Sequence, residues 1–194
     1  MIALPPTMKL ENKIALRALL LLMTLVGANS ISSAMREVEP TPVATRDLIV
    51  PVDGVGADRL VDSWGAPRGP TRVHEGIDIM APEGTPVRAA MAGTIAKLYR
   101  SKRGGITVYQ SDASGRVILY YAHLKGYAQG LSAGDKVAQG QLIGAVGATG
   151  NATTPHLHFE TQRADAKKRW WRGAAFNPFG ALKSGSLEQR LVRR

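Results

Sequence analysis

The sequence predicts an all-β domain, a compact antiparallel core of sheet or sandwich type followed by a short C-terminal helix. Three observations carry this reading. Runs rich in β-branched and aromatic residues recur about every ten residues, with glycine or proline between them. The chain holds 21 glycines and 11 prolines for the turns. No long helical periodicity appears before residue 180. The expected strands lie at 48–52, 62–65, 73–79, 86–90, 93–99, 105–110, 117–123, 135–137, 142–146 and 157–162. Gly104-Gly105 and Ser114-Gly115 supply hairpin turns on either side of 105–110. Near the end, Ser186 is placed to cap a helix over Leu187 to Leu191.

Length and composition bound the rest. The chain has 194 residues and is 44% hydrophobic, which suits one globular domain with a leader. Mean hydropathy near zero excludes a polytopic membrane protein. Residues 1–34 have the layout of a secretory signal: Lys9, Lys13 and Arg17, then apolar residues from Ala18 to Ala28, then the small-residue stretch Asn29 to Ala34. The apolar run is too short for a bilayer core of about 30 Å, so a signal-anchor helix is the weaker reading and no stable span is expected in the mature form. Polar residues with Pro40 and Pro42 make 35–46 a linker or N-terminal arm. With no cysteine in the chain, export would proceed without disulfides or a lipidated leader cysteine.

The charge is strongly basic, +10 for the whole chain and +8 once residues 1–34 are removed. Such a balance favours polyanionic partners: nucleic acid, an anionic membrane surface or a carboxylate-rich cell wall. Basic clusters occur at Arg100 to Arg103, Lys167 to Arg172 and Arg190 to Arg194. The leader argues against nucleic acid.

All four histidines fall in phrases that could serve a metal. His156 and His158 stand two apart in NATTPHLHFE, and a strand would put both rings on one face. His74 precedes Asp78 by four residues in HEGIDI, a segment poor in helix formers. In an extended chain these two would be about 13 Å apart. Their convergence on one ion therefore requires a bend, which Gly76 permits. His123 ends the apolar run RVILYYAHL. Imidazole and carboxylate are ordinary zinc ligands, and a catalytic site takes three of them and leaves a fourth position open. Five groups are thus available, and spacing alone does not choose among them. Tyr121, two residues before His123, is expected on the same face, as a cleft wall or donor, or else as a strand tyrosine packing by its ring. Glu160 shares the His156 and His158 face and is placed to orient one of them.

The stretch from about Val61 to Thr161 resembles the lysostaphin/LytM-type zinc metallopeptidases, which cut peptide bonds in bacterial peptidoglycan. The resemblance lies in HEGIDI, GTPVRAAMAGTI, YYAHL and SAGDKVAQGQLIGAVGATGNATTPHLHFE, in that order. It implies a narrow groove on one face of the β core and a metallopeptidase domain over 47–182, with its core at 61–162 and a basic tail at 183–194. It also implies that His74, Asp78 and His158 hold Zn2+, while His123 and His156 are catalytic histidines that do not bind it. The implied chemistry is attack by zinc-activated water, with the two histidines handling protons and the oxyanion. Peptidoglycan is the implied partner, the periplasm the expected compartment, a monomer the expected state, and a D-alanyl-diaminopimelate cross-link the expected target, with a glycine bridge as its rival.

Three other readings are open to the same residues. A relative of this fold lacking activity would act as an activator of other wall hydrolases, but all five positions are filled here. A cupin-type metal site also uses His-x-His, yet it places a glutamate and a later histidine farther on. A basic β domain that binds nucleic acid fits the charge and not the leader.

Overall fold

The computed structural model describes residues 48–164 and 173–185. The leader, the linker, the Lys167 to Arg172 cluster and the helix expected after Ser186 lie outside the described residues. Among these, nine strands form one sheet: β1 (Ile77–Met80), β2 (Pro86–Arg88), β3 (Gly93–Ser101), β4 (Gly105–Asp112), β5 (Val117–Tyr127), β6 (Lys136–Val137), β7 (Leu142–Val146), β8 (His156–Arg163) and β9 (Ala174–Phe176). Every pairing is antiparallel, and the main path runs β1-β8-β5-β4-β3-β6. One helix, α1 (Phe179–Ser184), follows β9 and ends on Gly185 at φ 74°. No helix among the described residues is long and apolar enough to cross a membrane.

Eight of the expected strands are present, 142–146 with its expected ends and seven with shifted ends, and two are not strands. Residues 48–52 carry Leu48 and Val52 into the core, but they join the sheet through scattered bonds: Ile49 N to the Ala90 carbonyl, Arg88 N to the Pro51 carbonyl, and a single bridge from Val52 to Val87. Pro51 has no N–H to donate, which interrupts a regular ladder there. At 62–65 the chain turns instead, because Gly65 takes a left-handed φ of 76° and the Trp64 amide donates to the Asp62 carboxylate. Strand β9 and helix α1 were not anticipated; both are three to six residues long, too short to show a period.

Strand β5 is the spine. Its first half pairs with β4 on one side and β8 on the other, and from Leu124 onward it pairs with β7. The change of partner falls at His123, whose φ of 61° makes it the only non-glycine with a left-handed backbone among the described residues. The register against β4 also shifts here: Leu124 faces Ile106 and Tyr121 faces Val108, so Ala122 and His123 together oppose Thr107. The result is a bulge stabilised by the His123 amide donating to the Gly104 carbonyl at 2.8 Å.

That bulge takes Tyr121 off the face of His123 and bears out its other expected role, a strand tyrosine packing by its ring. Leu119 and Tyr121 point into the core, where Tyr121 is fully buried with Ile77, Leu157 and Phe159. Its hydroxyl donates to Gln110 Oε1 at 2.8 Å and accepts from the Ala90 amide at 2.9 Å, and Gln110 Nε2 donates in turn to the Met91 carbonyl. Residue parity would send His123 after Tyr121 into the core. The left-handed residue turns it to the other side, where Tyr120 and Ala122 already face.

Gly76 is required for space, since its φ is not left-handed. A Cβ there would lie 2.6 Å from the Phe159 carbonyl and 2.9 Å from Cε1 of His158. Gly76→Ala is therefore expected to destabilise the domain by about 1–3 kcal/mol, read as a lower urea midpoint at unchanged slope. Tyr121→Phe leaves a buried amide and a buried side-chain carbonyl short of a partner, and the same titration is expected to show a loss of about 1–3 kcal/mol.

Candidate metal centre and cleft

The β1–β8 register puts Asp78 directly opposite His158 and Met80 opposite His156. Leu157 and Phe159, the alternate residues of β8, are fully buried, so both histidines emerge on the opposite face. His74 lies in the loop before β1, two residues ahead of the bend at Gly76. Its Nε2 lies 2.8 Å from Nδ1 of His158 and 3.1 Å from Oδ1 of Asp78, and the third side, His158 Nδ1 to Asp78 Oδ1, is 3.2 Å. These are the three residues whose ligand atoms cluster closely enough to share an ion.

The hydrogen bonds around this triangle determine what its corners are. A carbonyl oxygen only accepts, so Nδ1 of His74, 2.8 Å from the Ser63 carbonyl, carries a hydrogen and leaves a lone pair on Nε2 of the neutral ring. His158 is oriented the other way round: its Nε2 faces Glu160 Oε2 at 3.7 Å, which leaves Nδ1 for the triangle. With both rings neutral, two imidazole lone pairs and a carboxylate oxygen thus converge. A metal cation satisfies such a set, and nitrogen and oxygen ligands at these separations fit a zinc ion about 2 Å from each. Glu160 is itself held by Gln162, whose Nε2 donates to Oε1 at 2.8 Å.

Electrostatics agree with the geometry. Burial works to raise the Asp78 pKa, but when the rings carry a second proton, hydrogen bonds from His158 and His74, together with their charges, hold it well below the usual carboxylate range. Burial opposes charge on His158 too, and the hydrogen bonds to Asp78 and Glu160 outweigh it and raise its pKa. The second carboxylate oxygen, Oδ2 of Asp78, accepts from Arg68, an exposed residue that the sequence reading did not single out. Ser63 serves twice, since its Oγ accepts from the Asp78 amide at 3.0 Å.

His123 and His156 stand beside the triangle with their ring centroids 4.8 Å apart. Each is pinned by a backbone carbonyl. Nδ1 of His123 donates to Thr149 O and Nδ1 of His156 to Thr154 O, both at 2.8 Å. Their Nε2 atoms are therefore left as bases, and that of His156 lies 3.6 Å from Asp78 Oδ1. Burial lowers the His123 pKa, which keeps this ring neutral near pH 7.

All five residues line one cleft of about 610 Å3. Tyr120, not Tyr121, forms its floor, with Tyr109 tilted against it at 4.7 Å and the edge of His158 at 6.0 Å. Burial raises the Tyr120 pKa, so its hydroxyl remains a neutral donor. The walls are the 66–74 hairpin, with Arg68, Arg72 and Val73, and the opposite loops carrying Arg103, Gly104 and Asn151 to Thr153.

Comparison with known proteins places this arrangement. Residues 72–178 match Peptidase family M23. The L-Ala--D-Glu endopeptidase of Bacillus subtilis is 32% identical over 131 residues, 63% of this chain and 39% of the relative. The DD-carboxypeptidase/endopeptidase Mpg of Neisseria meningitidis is 44% identical over 93 residues, 47% of this chain and 20% of the relative. The chain thus spans well under half the length of these curated relatives. Among solved structures, the catalytic domain of the antimicrobial peptidase lysostaphin from Staphylococcus simulans matches 66% of this chain and 95% of its own at a TM-score of 0.57 and 31% identity. With the family pattern running over more than half of its residues, from before the first histidine to beyond β9, the chain belongs to Peptidase family M23.

Proposed function

We propose that this protein is an exported zinc metallo-endopeptidase that hydrolyses peptide bonds in peptidoglycan. The observation that carries the proposal is the closed triangle of acceptors from His74, Asp78 and His158, with two further basic imidazole nitrogens beside it. These three residues are the proposed ligands. When bound there, zinc would supply Lewis acidity toward the scissile carbonyl and lower the pKa of water.

The chain's own residues supply the rest. His123 and His156, each with a hydrogen on Nδ1 fixed by a carbonyl, present a basic Nε2 to the cleft. One such nitrogen accepts the proton of the attacking water, and the protonated ring then hydrogen-bonds the developing oxyanion or returns the proton to the leaving amine. The short distance between the rings keeps both roles within reach of one scissile bond. Tyr120 offers a neutral hydroxyl at the floor, and the pinned rings pay little orientational entropy when substrate arrives.

Substrate and compartment rest on the family, on the L-Ala--D-Glu and DD-endopeptidase activities for which the relatives are named, and on the leader-like residues 1–34. A periplasmic enzyme acting on D-alanyl-diaminopimelate cross-links is the form we favour, with peptidoglycan as partner and the basic surface as an aid to binding the wall.

Asp78→Ala is expected to lose both stoichiometric zinc and release of peptidoglycan fragments, since it opens the triangle. His123→Ala should retain zinc while its fragment release falls by a factor of about 100 or more. Zinc content with chelator-sensitive release of new amine ends, read by mass spectrometry, measures both. Full activity in the His123 variant would remove that residue from the mechanism, and absence of zinc from the wild type would undo the proposal.

A further inference from the structure

The hairpin wall of the cleft holds two arginines in a costly arrangement. Pro67 bridges Val73 and the Arg68 amide donates to the Arg72 carbonyl at 2.9 Å, so Arg68 and Arg72 are directly opposed and their side chains leave on the same face. Like charges in directly opposed positions of an antiparallel pair are destabilising. One anion already relieves this pair, because Arg68 is bound to Asp78 Oδ2. No described side chain serves Arg72 in the same way. It lines the cleft and is exposed, with neither an ion pair nor a side-chain hydrogen bond to a described residue. Across the cleft, Arg103 is exposed in the β3–β4 turn and likewise lacks an ion pair with a described residue.

The acids of the cleft do not supply the missing charge. Asp78 is engaged by His74, His158 and Arg68, and Glu160 by His158 and Gln162. Glu75 lines the same cleft and forms no ion pair with either arginine of the hairpin. The cleft therefore presents, beside its histidines, two guanidinium groups, Arg72 and Arg103, without an ion pair to a described residue, and the planar fork of such a group suits a carboxylate.

We propose that Arg72, with Arg68 beside it and Arg103 on the far wall, binds a free carboxylate of the peptide substrate next to the bond that is cut. The inference rests on the peptidase reading above and narrows its substrate. In a D-alanyl-diaminopimelate cross-link the carbon bearing the scissile nitrogen also bears a free carboxylate. In a glycyl-glycine bridge the corresponding carboxyl is consumed in the next amide. An arginine-walled cleft selects the first kind of bond and gains nothing from the second.

The test uses the zinc-loaded protein and two peptides, a D-alanyl-diaminopimelate cross-linked peptide and the same peptide with that one carboxylate converted to a carboxamide. Wild type is expected to favour the carboxylate by about fivefold or more in kcat/KM, and the preference should shrink in high salt. Arg72→Gln should bring the ratio close to one at unchanged zinc content, and Arg72→Lys should keep part of it. Equal kcat/KM for both peptides in the wild type, or an undiminished ratio in Arg72→Gln, would overturn the carboxylate site. Calorimetric affinities for the same peptides separate the two readings. Tighter binding of the carboxylate form without cleavage of either peptide would sustain the site and overturn the peptidase, whereas equal affinity and equal cleavage would do the reverse.

Discussion

The pairing of Asp78 with His158 across β1 and β8 is the constraint on which the rest of the site depends. Antiparallel strands alternate their faces, so this single register sends His156 and His158 to the cleft and Leu157 and Phe159 to the core in the same stroke. A slip by one residue would bury both imidazoles and expose two of the largest core side chains. The apolar interior thus enforces the geometry of the polar centre, and stability and chemistry are specified by the same eight residues of β8. Gly76 is the matching concession on the other strand, because only a residue without Cβ lets the chain pass beneath His158 and the Phe159 carbonyl.

His123 shows the opposite device, a local departure from regularity. A left-handed backbone at a residue other than glycine is energetically uphill, and it persists here because the Gly104 carbonyl, the Thr149 carbonyl and two partner strands hold it. What the strain achieves is visible in the neighbours. Strand β5 contributes Tyr121 to the core, Tyr120 to the cleft floor, and then His123 to the cleft out of turn. Without the bulge the strand would offer a histidine to the hydrophobic interior, where a charged imidazole could not be solvated.

These two devices explain what could be read in advance and what could not. Punctuation and composition suffice for β7 and nearly for β3, β4 and β8, because Gly or Pro opens each run or stands just before it. The shared face of His156 and His158 follows from alternation alone, and the bend between His74 and Asp78 from Gly76. Tyr121 packs by its ring, one of its two expected roles, and fails to share the face of His123 because counting by twos assumes an unbroken strand, and no residue type announces that a histidine will adopt a left-handed turn. Tyr120 and Arg68 escaped for a related reason: their roles arise from long-range register and from a hairpin packed against β1, neither of which leaves a periodic trace. The chain at 48–52 looks like a strand by composition, yet Pro51 deprives it of a ladder.

Ser63 and Asp62 bear on how this domain is delimited. The family pattern begins at residue 72, but the carbonyl that sets the tautomer of His74 and the hydroxyl that holds the Asp78 amide both belong to Ser63, and Asp62 beside it accepts from Asn177 just before α1. Two ends of the domain, more than a hundred residues apart in the chain, are thereby clasped behind the cluster. The smallest autonomous unit is accordingly wider than the recognisable motif. A fragment cut at the motif's edge would keep every histidine and still lose the support that tells His74 which nitrogen to offer.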